Sequence, residues 1–173
     1  MFKRSKKIEI AEVDEETGHI YLKNSKLPLL MLRPEELIEF GELAGSEAED
    51  ILLWVGKSIG KTIFKEIIGD QDLSDAKIRV KMNATSTILD RLQNLGFGVM
   101  VLNHDKEKII IDIANPLAKD YVDNIMAKNI CILYSGIFSG FMEEMGIDSE
   151  VEEVNCVLKG ADMCSFKFEL EEF

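Results

Sequence analysis

Residues 131–168 read CILYSGIFSGFMEEMGIDSEVEEVNCVLKGADMCSFKF and contain all three cysteines of the 173-residue chain. In the first half, apolar residues recur at steps of three, four and one, which is the pattern of an amphipathic helix. In the second half, apolar and polar residues alternate from Cys164 to Leu170, which is typical of a half-buried strand. The stretch therefore predicts a helix carrying Cys131, packed over a hairpin that carries Cys156 and Cys164.

The two hairpin cysteines are eight residues apart. They face one another if the turn around Gly160 contains an odd number of residues. Directly opposed side chains on a sheet lie roughly 5 Å apart at Cβ, which is close enough to share a metal ion. The alternative is three buried cysteines without a metal, because free cysteine is commonly buried. Spacing alone leaves both interpretations open.

The order of these residues is a cysteine, a glycine-containing helix and then the pattern Glu-x-x-Cys-x7-Cys-x-Phe. This order resembles the 4-vinyl-reductase-type (V4R) domain family, which includes the sensor domains of phenol-responsive bacterial activators. The resemblance is strongest over residues 120–170. It implies a fold shared with nitric-oxide-signalling and Golgi-transport ligand-binding domains, and a homodimer. It also implies a zinc ion bound by Cys131, Glu153, Cys156 and Cys164.

The chemistry of this ligand set is consistent with a structural zinc ion. Three thiolates and one carboxylate suit a tetrahedral shell, and a closed shell of four ligands leaves no position for a catalytic water. In a regular strand Glu153 would point away from Cys156, because three residues is an odd step. Glu153 is therefore a ligand only if the strand begins later or bulges near Val154. Glu152 is the alternative ligand.

Three pairs of glycines four residues apart indicate either close helix packing or room for a bound molecule: Gly41 and Gly45, Gly56 and Gly60, and Gly136 and Gly140. If a pocket exists, its lining is apolar and suits a small hydrophobic molecule, either aromatic or hydrocarbon-like. The alternative is that the same side chains form an ordinary core. The predicted lining residues are Trp54, Ile59, Phe64, Tyr134, Phe138, Phe141 and Met142.

The rest of the chain predicts an N-terminal β-hairpin extension over residues 1–24 and a single V4R-type ligand-binding domain over residues 25–173. In the extension, strand patterns at 8–13 and 19–23 flank a turn with Gly18. For the larger domain, the order of predicted elements indicates an α/β (α+β) fold, in which two C-terminal hairpins form an antiparallel sheet with helices packed on one face. The predicted elements are helices over 34–44 and 47–68, a strand over 78–82, a helix over 83–95, a hairpin over 97–114, a helical segment from Pro116 and a hairpin over 151–170.

The composition narrows the choice of partners. The net charge is −12, which argues against nucleic acid and anionic membranes, because phosphate binding requires clustered Lys and Arg. No apolar segment follows the basic residues near the N-terminus, so we expect no signal peptide, and we expect no membrane span. A cytoplasmic location follows, where cysteines stay reduced and clustered cysteines favour a metal.

Enzyme motifs are missing from the sequence: it has no GxGxxG, P-loop, nucleophile elbow or HExxH pattern. We therefore predict no catalytic residue. The favoured function is a stand-alone, zinc-stabilised domain that binds a small hydrophobic molecule as a sensor or carrier. One alternative, suggested by the family name, is a component of a tetrapyrrole vinyl-reduction system. The other is a dimeric scaffold for protein interactions.

Overall fold

A computed structural model describes residues 11–23 and 28–170, which divide into two compact units between Leu32 and Arg33. The first unit is a three-stranded antiparallel sheet in the order β1-β2-β3. Its strands are β1 (Ala11–Val13), β2 (Ile20–Leu22) and β3 (Pro28–Leu29).

The predicted N-terminal hairpin is confirmed within the described residues. Val13 pairs with Ile20, and Gly18 in the turn has a φ of 72°, a left-handed conformation that glycine adopts without steric cost. The third strand, β3, was not predicted from the sequence. Residues 8–10 of the predicted hairpin and the predicted domain boundary at 24–25 lie outside the described residues, so the boundary stays a prediction.

The second unit confirms the predicted mixture of helices and one antiparallel sheet. The sheet has the strand order β4-β5-β7-β6, so the two C-terminal hairpins join through β5 and β7. Short 3₁₀ turns connect several of the elements. The helices are α1 (Pro34–Ala44), α2 (Ala48–Ile68), α3 (Ile78–Asn94) and α4 (Lys128–Glu144), and the strands are β4 (Val99–His104), β5 (Lys108–Ala114), β6 (Val151–Asn155) and β7 (Met163–Glu169).

The predicted strand over residues 78–82 is wrong, because α3 already begins at Ile78 and runs through Asn83. The segment IRVKM alternates in polarity, but its neighbours continue with buried residues at helical spacing. The helix buries a stripe that includes Met82, Thr85, Ile88, Leu89 and Leu92. Burial of this stripe against the core stabilises the helix and outweighs the local alternation, which favours a strand.

The inner face of the sheet carries the core of the second unit. Ile109, Ile111 and Ile113 alternate along β5, and all three are fully buried. Helix α4 packs on this face, where the rings of Phe138 and Phe166 meet edge to face with centroids 5.1 Å apart. Such aromatic contacts fix the orientation of α4 over the hairpin that contains the cysteines.

Helix α4 contacts α2 on its other side through four glycines. A Cβ atom placed on Gly56 would lie 2.6 Å from the carbonyl oxygen of Leu133 and 2.8 Å from the Cα atom of Gly136. Cβ atoms on Gly60 and Gly140 would also collide with the backbone of the facing helix. The backbone of the neighbouring helix thus fills the space that these glycines leave, so close helix packing explains them.

One stretch among the described residues, Ile125–Glu144, is long and apolar enough to span a membrane, with a mean hydropathy of 1.4. The expectation of no membrane span did not take this stretch into account. However, 72% of the apolar window is buried inside the fold. This degree of burial is typical of the central helix of a globular domain.

Candidate metal centre

An irregularity in β6 brings Glu153 and Cys156 to the same side. Strand β6 pairs in register with β7 as far as Glu153, and the register shifts before Asn155. Val154 is the extra residue, and its side chain is exposed. A bulge of this kind interrupts the alternation of side chains, so residues an odd number of positions apart can share a face. The structure therefore meets the bulge condition under which Glu153 could be a ligand.

Each cysteine comes from a different element around the same point. Cys131 lies on the buried side of α4, Cys156 follows the last residue of β6, and Cys164 lies on the inner face of β7. Residues 157–163 connect the last two, and this odd number of residues was the predicted condition for them to face one another. All three cysteines are buried and none forms a disulfide.

The four side chains converge on one point. One ligand atom from each of Cys131, Glu153, Cys156 and Cys164 lies within 4.8 Å of the other three, so the cluster could hold a metal ion. The Sγ atoms of Cys131 and Cys156 are 3.8 Å apart, far longer than the ~2.05 Å of a disulfide. A tetrahedral zinc ion with Zn–S bonds of about 2.3 Å separates its sulfur ligands by about 3.8 Å. The spacing fits this geometry.

Glu153 has the free acceptor that a metal site requires. Its Oε1 atom is buried and has no hydrogen-bond partner. Buried polar atoms are nearly always paired, so an unpaired carboxylate oxygen beside three thiols fits the ligand set of a metal site. Glu152, the alternative ligand, instead forms an ion pair of 2.7 Å with Lys167, and its side chain is 61% exposed. The structure thus places Glu153, and not Glu152, in the cluster.

The close spacing and burial of the three thiols shift their pKa values. A hydrogen bond to Cys164, together with burial, raises the pKa of the Cys131 thiol. Burial and the neighbouring Glu153 raise the pKa of Cys156 to about 11. The pKa of Cys164 is lowered, because Cys131 donates a hydrogen bond to its sulfur. A divalent cation would displace the remaining protons and remove the repulsion between the negative groups.

The turn between β6 and β7 also favours thiolates. The backbone N–H groups of Leu158 and Val157 act to lower the pKa of Cys156 and Cys164, respectively. Hydrogen bonds to the charged form of a group lower its pKa. Because these donors belong to the short 3₁₀ turn Val157–Lys159, the backbone already provides outer contacts for metal-bound sulfur.

Most of the predicted pocket lining lies in the core of the second unit. Five of its members are buried side chains of the core: Phe64, Tyr134, Phe138, Phe141 and Met142. Tyr134 stacks on Phe138 with centroids 6.0 Å apart, and its hydroxyl donates to the carbonyl oxygen of Phe97 at 2.7 Å. Ile59 is half-buried.

Trp54 is the clear exception among the predicted lining residues, because 70% of it is exposed. It precedes Gly56 by two residues, which is about 200° around a helix, and Gly56 faces α4. Trp54 therefore lies on the opposite side of α2 from the contact with α4, away from the core aromatic residues, and its role in a pocket stays a prediction. Its apolar neighbours in the sequence did not reveal which side of α2 would be covered.

An open cleft of about 410 Å³ lies between the C-terminal ends of α2 and α4, and the sequence did not predict it. Its lining is mainly polar and acidic, unlike the predicted apolar pocket. Phe64 is the one predicted lining residue that borders it. The other bordering residues include Lys65, Asp70, Asp72, Glu143 and Glu144.

The fold and the cluster define an α/β domain with a candidate Cys₃Glu metal centre. Residues 114–170 match the family model of the V4R domain, and this stretch contains all four cluster residues. The resemblance to the 4-vinyl-reductase-type family that the sequence indicated is thereby confirmed over that stretch. A search of curated proteins found no match.

Solved structures with the same fold extend the similarity over most of the chain. One is the phenol-responsive sensory domain of the transcription activator PoxR, solved with phenol. The match covers 92% of this chain and 84% of the PoxR domain at 13% identity, with a TM-score of 0.65. Another is an H-NOX protein from S. oneidensis in the Fe(II)NO ligation state. The match covers 85% of this chain and 81% of the H-NOX chain at 13% identity, with a TM-score of 0.54.

A third solved structure is a trafficking protein particle complex subunit 3 from Naegleria fowleri, covalently bound to palmitic acid. It covers 81% of this chain and 95% of its own, at 15% identity and a TM-score of 0.54. At these identities the three comparisons establish the fold. They confirm the predicted shared fold and nothing beyond the architecture.

Proposed function

We propose that the chain is a small-molecule-binding domain of the sensor or carrier type, held in its folded state by one zinc ion in the cytoplasm. The observation that carries this proposal is the Cys₃Glu cluster, with the unpaired Oε1 atom of Glu153, inside a fold shared with a phenol-responsive sensory domain. The cluster supports the metal, and the fold supports the binding of a small molecule.

Zinc is the metal that suits these ligands. Thiolates are soft ligands and select zinc over magnesium and calcium, which prefer oxygen. Four protein ligands complete a tetrahedral shell, so the ion would have a structural role and no open position for chemistry. Cys131, Cys156 and Cys164 would tie α4 to the hairpin of β6 and β7. The free energy of metal binding would then contribute to folding.

The fold favours a hydrophobic ligand. Among the solved structures with this fold, one sensory domain holds phenol and one transport subunit holds palmitic acid. We propose the same broad class, an aromatic or hydrocarbon molecule, for this chain. Helices α2 and α4 meet backbone to backbone at their glycines, which supports a binding site outside that contact.

Two measurements test the proposal. Elemental analysis of protein purified without added metal should find about one zinc per chain, and finding no transition metal would refute the metal centre. A thermal-shift screen with phenols, tetrapyrroles and fatty acids should raise the melting temperature for at least one class, because ligands that bind only the folded state stabilise it. No response from any class would instead favour an interaction scaffold.

We further propose a homodimer, which is the basis of the scaffold alternative. Helix α2 exposes two apolar side chains three residues apart, Ile51 and Trp54, which lie on the same side of the helix. Burial of such residues between two copies would remove apolar surface from water. Sedimentation equilibrium at micromolar concentration should give twice the chain mass of 19.5 kDa, and a Trp54→Lys variant should give the monomer mass. A wild-type protein at the monomer mass would refute the dimer.

A further inference from the structure

Asn129 has an unpaired acceptor in the interior of the second unit. It lies in the first turn of α4 and is fully buried, and its Oδ1 atom has no hydrogen-bond partner. Its Nδ2 atom donates to the carbonyl oxygen of Leu37 over a long distance of 3.4 Å. A side-chain amide can take part in four hydrogen bonds, and a buried acceptor without a partner costs free energy.

The contacts of Asn129 fix the orientation of its amide. Helix α1 lies directly over it, because a Cβ atom on Gly41 would come within 2.9 Å of the Asn129 Cγ atom and 3.0 Å of the Met126 Cε atom. Reversal of the amide would bring Oδ1 against the carbonyl oxygen of Leu37, which is also an acceptor. The free position is therefore an acceptor, and it requires a donor from outside these residues.

Helix α1, which covers this amide, has few buried residues. Only Ile38 and Gly41 are buried among the eleven residues of α1. The segment beside α1 consists of short 3₁₀ turns, and it exposes Val122 and Ile125, the latter by 82%. Segments with few buried contacts open at low free-energy cost, so α1 can move away from Asn129 and admit a small molecule without disturbing the sheet.

We propose that the Oδ1 atom of Asn129 accepts a hydrogen bond from the hydroxyl or N–H group of an otherwise apolar small molecule that binds beneath α1. The neighbouring Met126 and Leu37 are apolar, and a charged ligand would lack the partner that a buried charge requires. This site rests on the proposed small-molecule function and locates it. Asn129 and Cys131 lie about 200° apart around α4, so the site is separate from the metal centre.

The test uses the 173-residue chain loaded with zinc, and probes that differ only in the hydrogen-bond donor. Phenol and benzyl alcohol carry one hydroxyl, whereas toluene and ethylbenzene have similar shapes without it. Calorimetric titration of the wild type should show at least about fivefold tighter binding of the hydroxyl probes, as expected for one hydrogen bond to a buried acceptor. Asn129→Leu should remove this preference. Asn83→Leu, at an exposed position in α3, should retain it.

An NMR measurement on the wild type tests the site even if Asn129→Leu fails to fold. The side-chain amide resonances of Asn129 should shift with phenol and not with toluene. Retention of the hydroxyl preference in Asn129→Leu, or unshifted amide resonances, would overturn the site while leaving the proposed function intact. A crystal structure with phenol that shows only a water molecule at Oδ1 would also overturn it. Absence of binding by every probe would overturn the site and count against the proposed function.

Discussion

The Sγ atom of Cys131 in α4 lies 3.8 Å from the Sγ atom of Cys156 at the end of β6. This contact joins the central helix to the C-terminal hairpin at a buried point. Cys164 and Glu153 complete the same cluster from the neighbouring strand and from the bulge. A metal ion there would connect the helical layer with the sheet, so its loss should affect the whole domain.

Removal of one thiol should therefore release the metal and destabilise the fold. We expect Cys164→Ser to lose its zinc and to lower the free energy of unfolding by more than about 4 kcal/mol, the range associated with loss of a metal. Met163→Ser is the matched control, because this neighbouring residue lies on the other side of β7 and is exposed. Metal content and chemical denaturation measure both effects. A Cys164→Ser protein as stable as the control would show that the fold does not depend on a metal.

The two adjacent glutamates should behave differently. Glu153→Gln should weaken zinc binding at least about tenfold, because even residues that contact a metal only through its ligands contribute 10–100-fold. Glu152→Gln should leave the affinity unchanged, since Glu152 pairs with Lys167 at the surface. Competition with a chromophoric chelator measures both affinities. Equal affinities for the two variants would exclude Glu153 as a ligand.

The glycine contact between α2 and α4 provides a test of the packing. Gly60→Ala should lower the free energy of unfolding by about 1–3 kcal/mol, because the added methyl group would collide with the backbone at Ile137. The sign of this change is informative, because helix propensity by itself would make the alanine variant more stable than the wild type by about 1 kcal/mol. Ser58→Ala, at an exposed position of α2, serves as the control. A Gly60→Ala protein more stable than the wild type would mean that the helices lie farther apart.

The ion pairs of Glu143 should make a pH-dependent contribution to the free energy of unfolding. Burial raises its pKa, but hydrogen bonds from Lys57 at 2.6 Å and Lys61 at 2.9 Å outweigh this effect and hold the pKa below the ordinary value of 4.5. Because the folded-state pKa is the lower one, the stabilisation is complete above pH 4.5 and is lost as the pH falls through the folded-state value.

Comparison of the wild type with Glu143→Gln should reveal this contribution. The variant should be less stable by about 1 kcal/mol at pH 7, and the difference should vanish in acid, where the protonated carboxyl resembles the amide. Glu39→Gln, on the exposed side of α1, should show no comparable trend. Denaturation curves from pH 7 to pH 3 measure the difference, and a gap that stays constant with pH would contradict the argument.

Local patterns predicted most elements, because helix and strand periods are properties of neighbouring residues. The alternation around Ile109 and Phe166 predicted the two hairpins, and Pro34 marked the start of α1 as observed. The same reasoning failed at residues 78–82, where five alternating residues imitate a strand. There the decision came from a buried stripe that extends beyond the segment.

The sequence by itself determined most of the helices and strands, the candidate ligand residues and the types of side chain available to a metal or a hydrophobic molecule. Only the tertiary structure decided that Val154 bulges so that Glu153 enters the cluster, that Trp54 faces solvent, and that the glycines of α2 and α4 meet each other. It alone also revealed the unpaired acceptor of Asn129 beneath α1. The physical reason is that burial, collision and hydrogen-bond satisfaction depend on atoms from distant parts of the chain, which local periodicity does not specify.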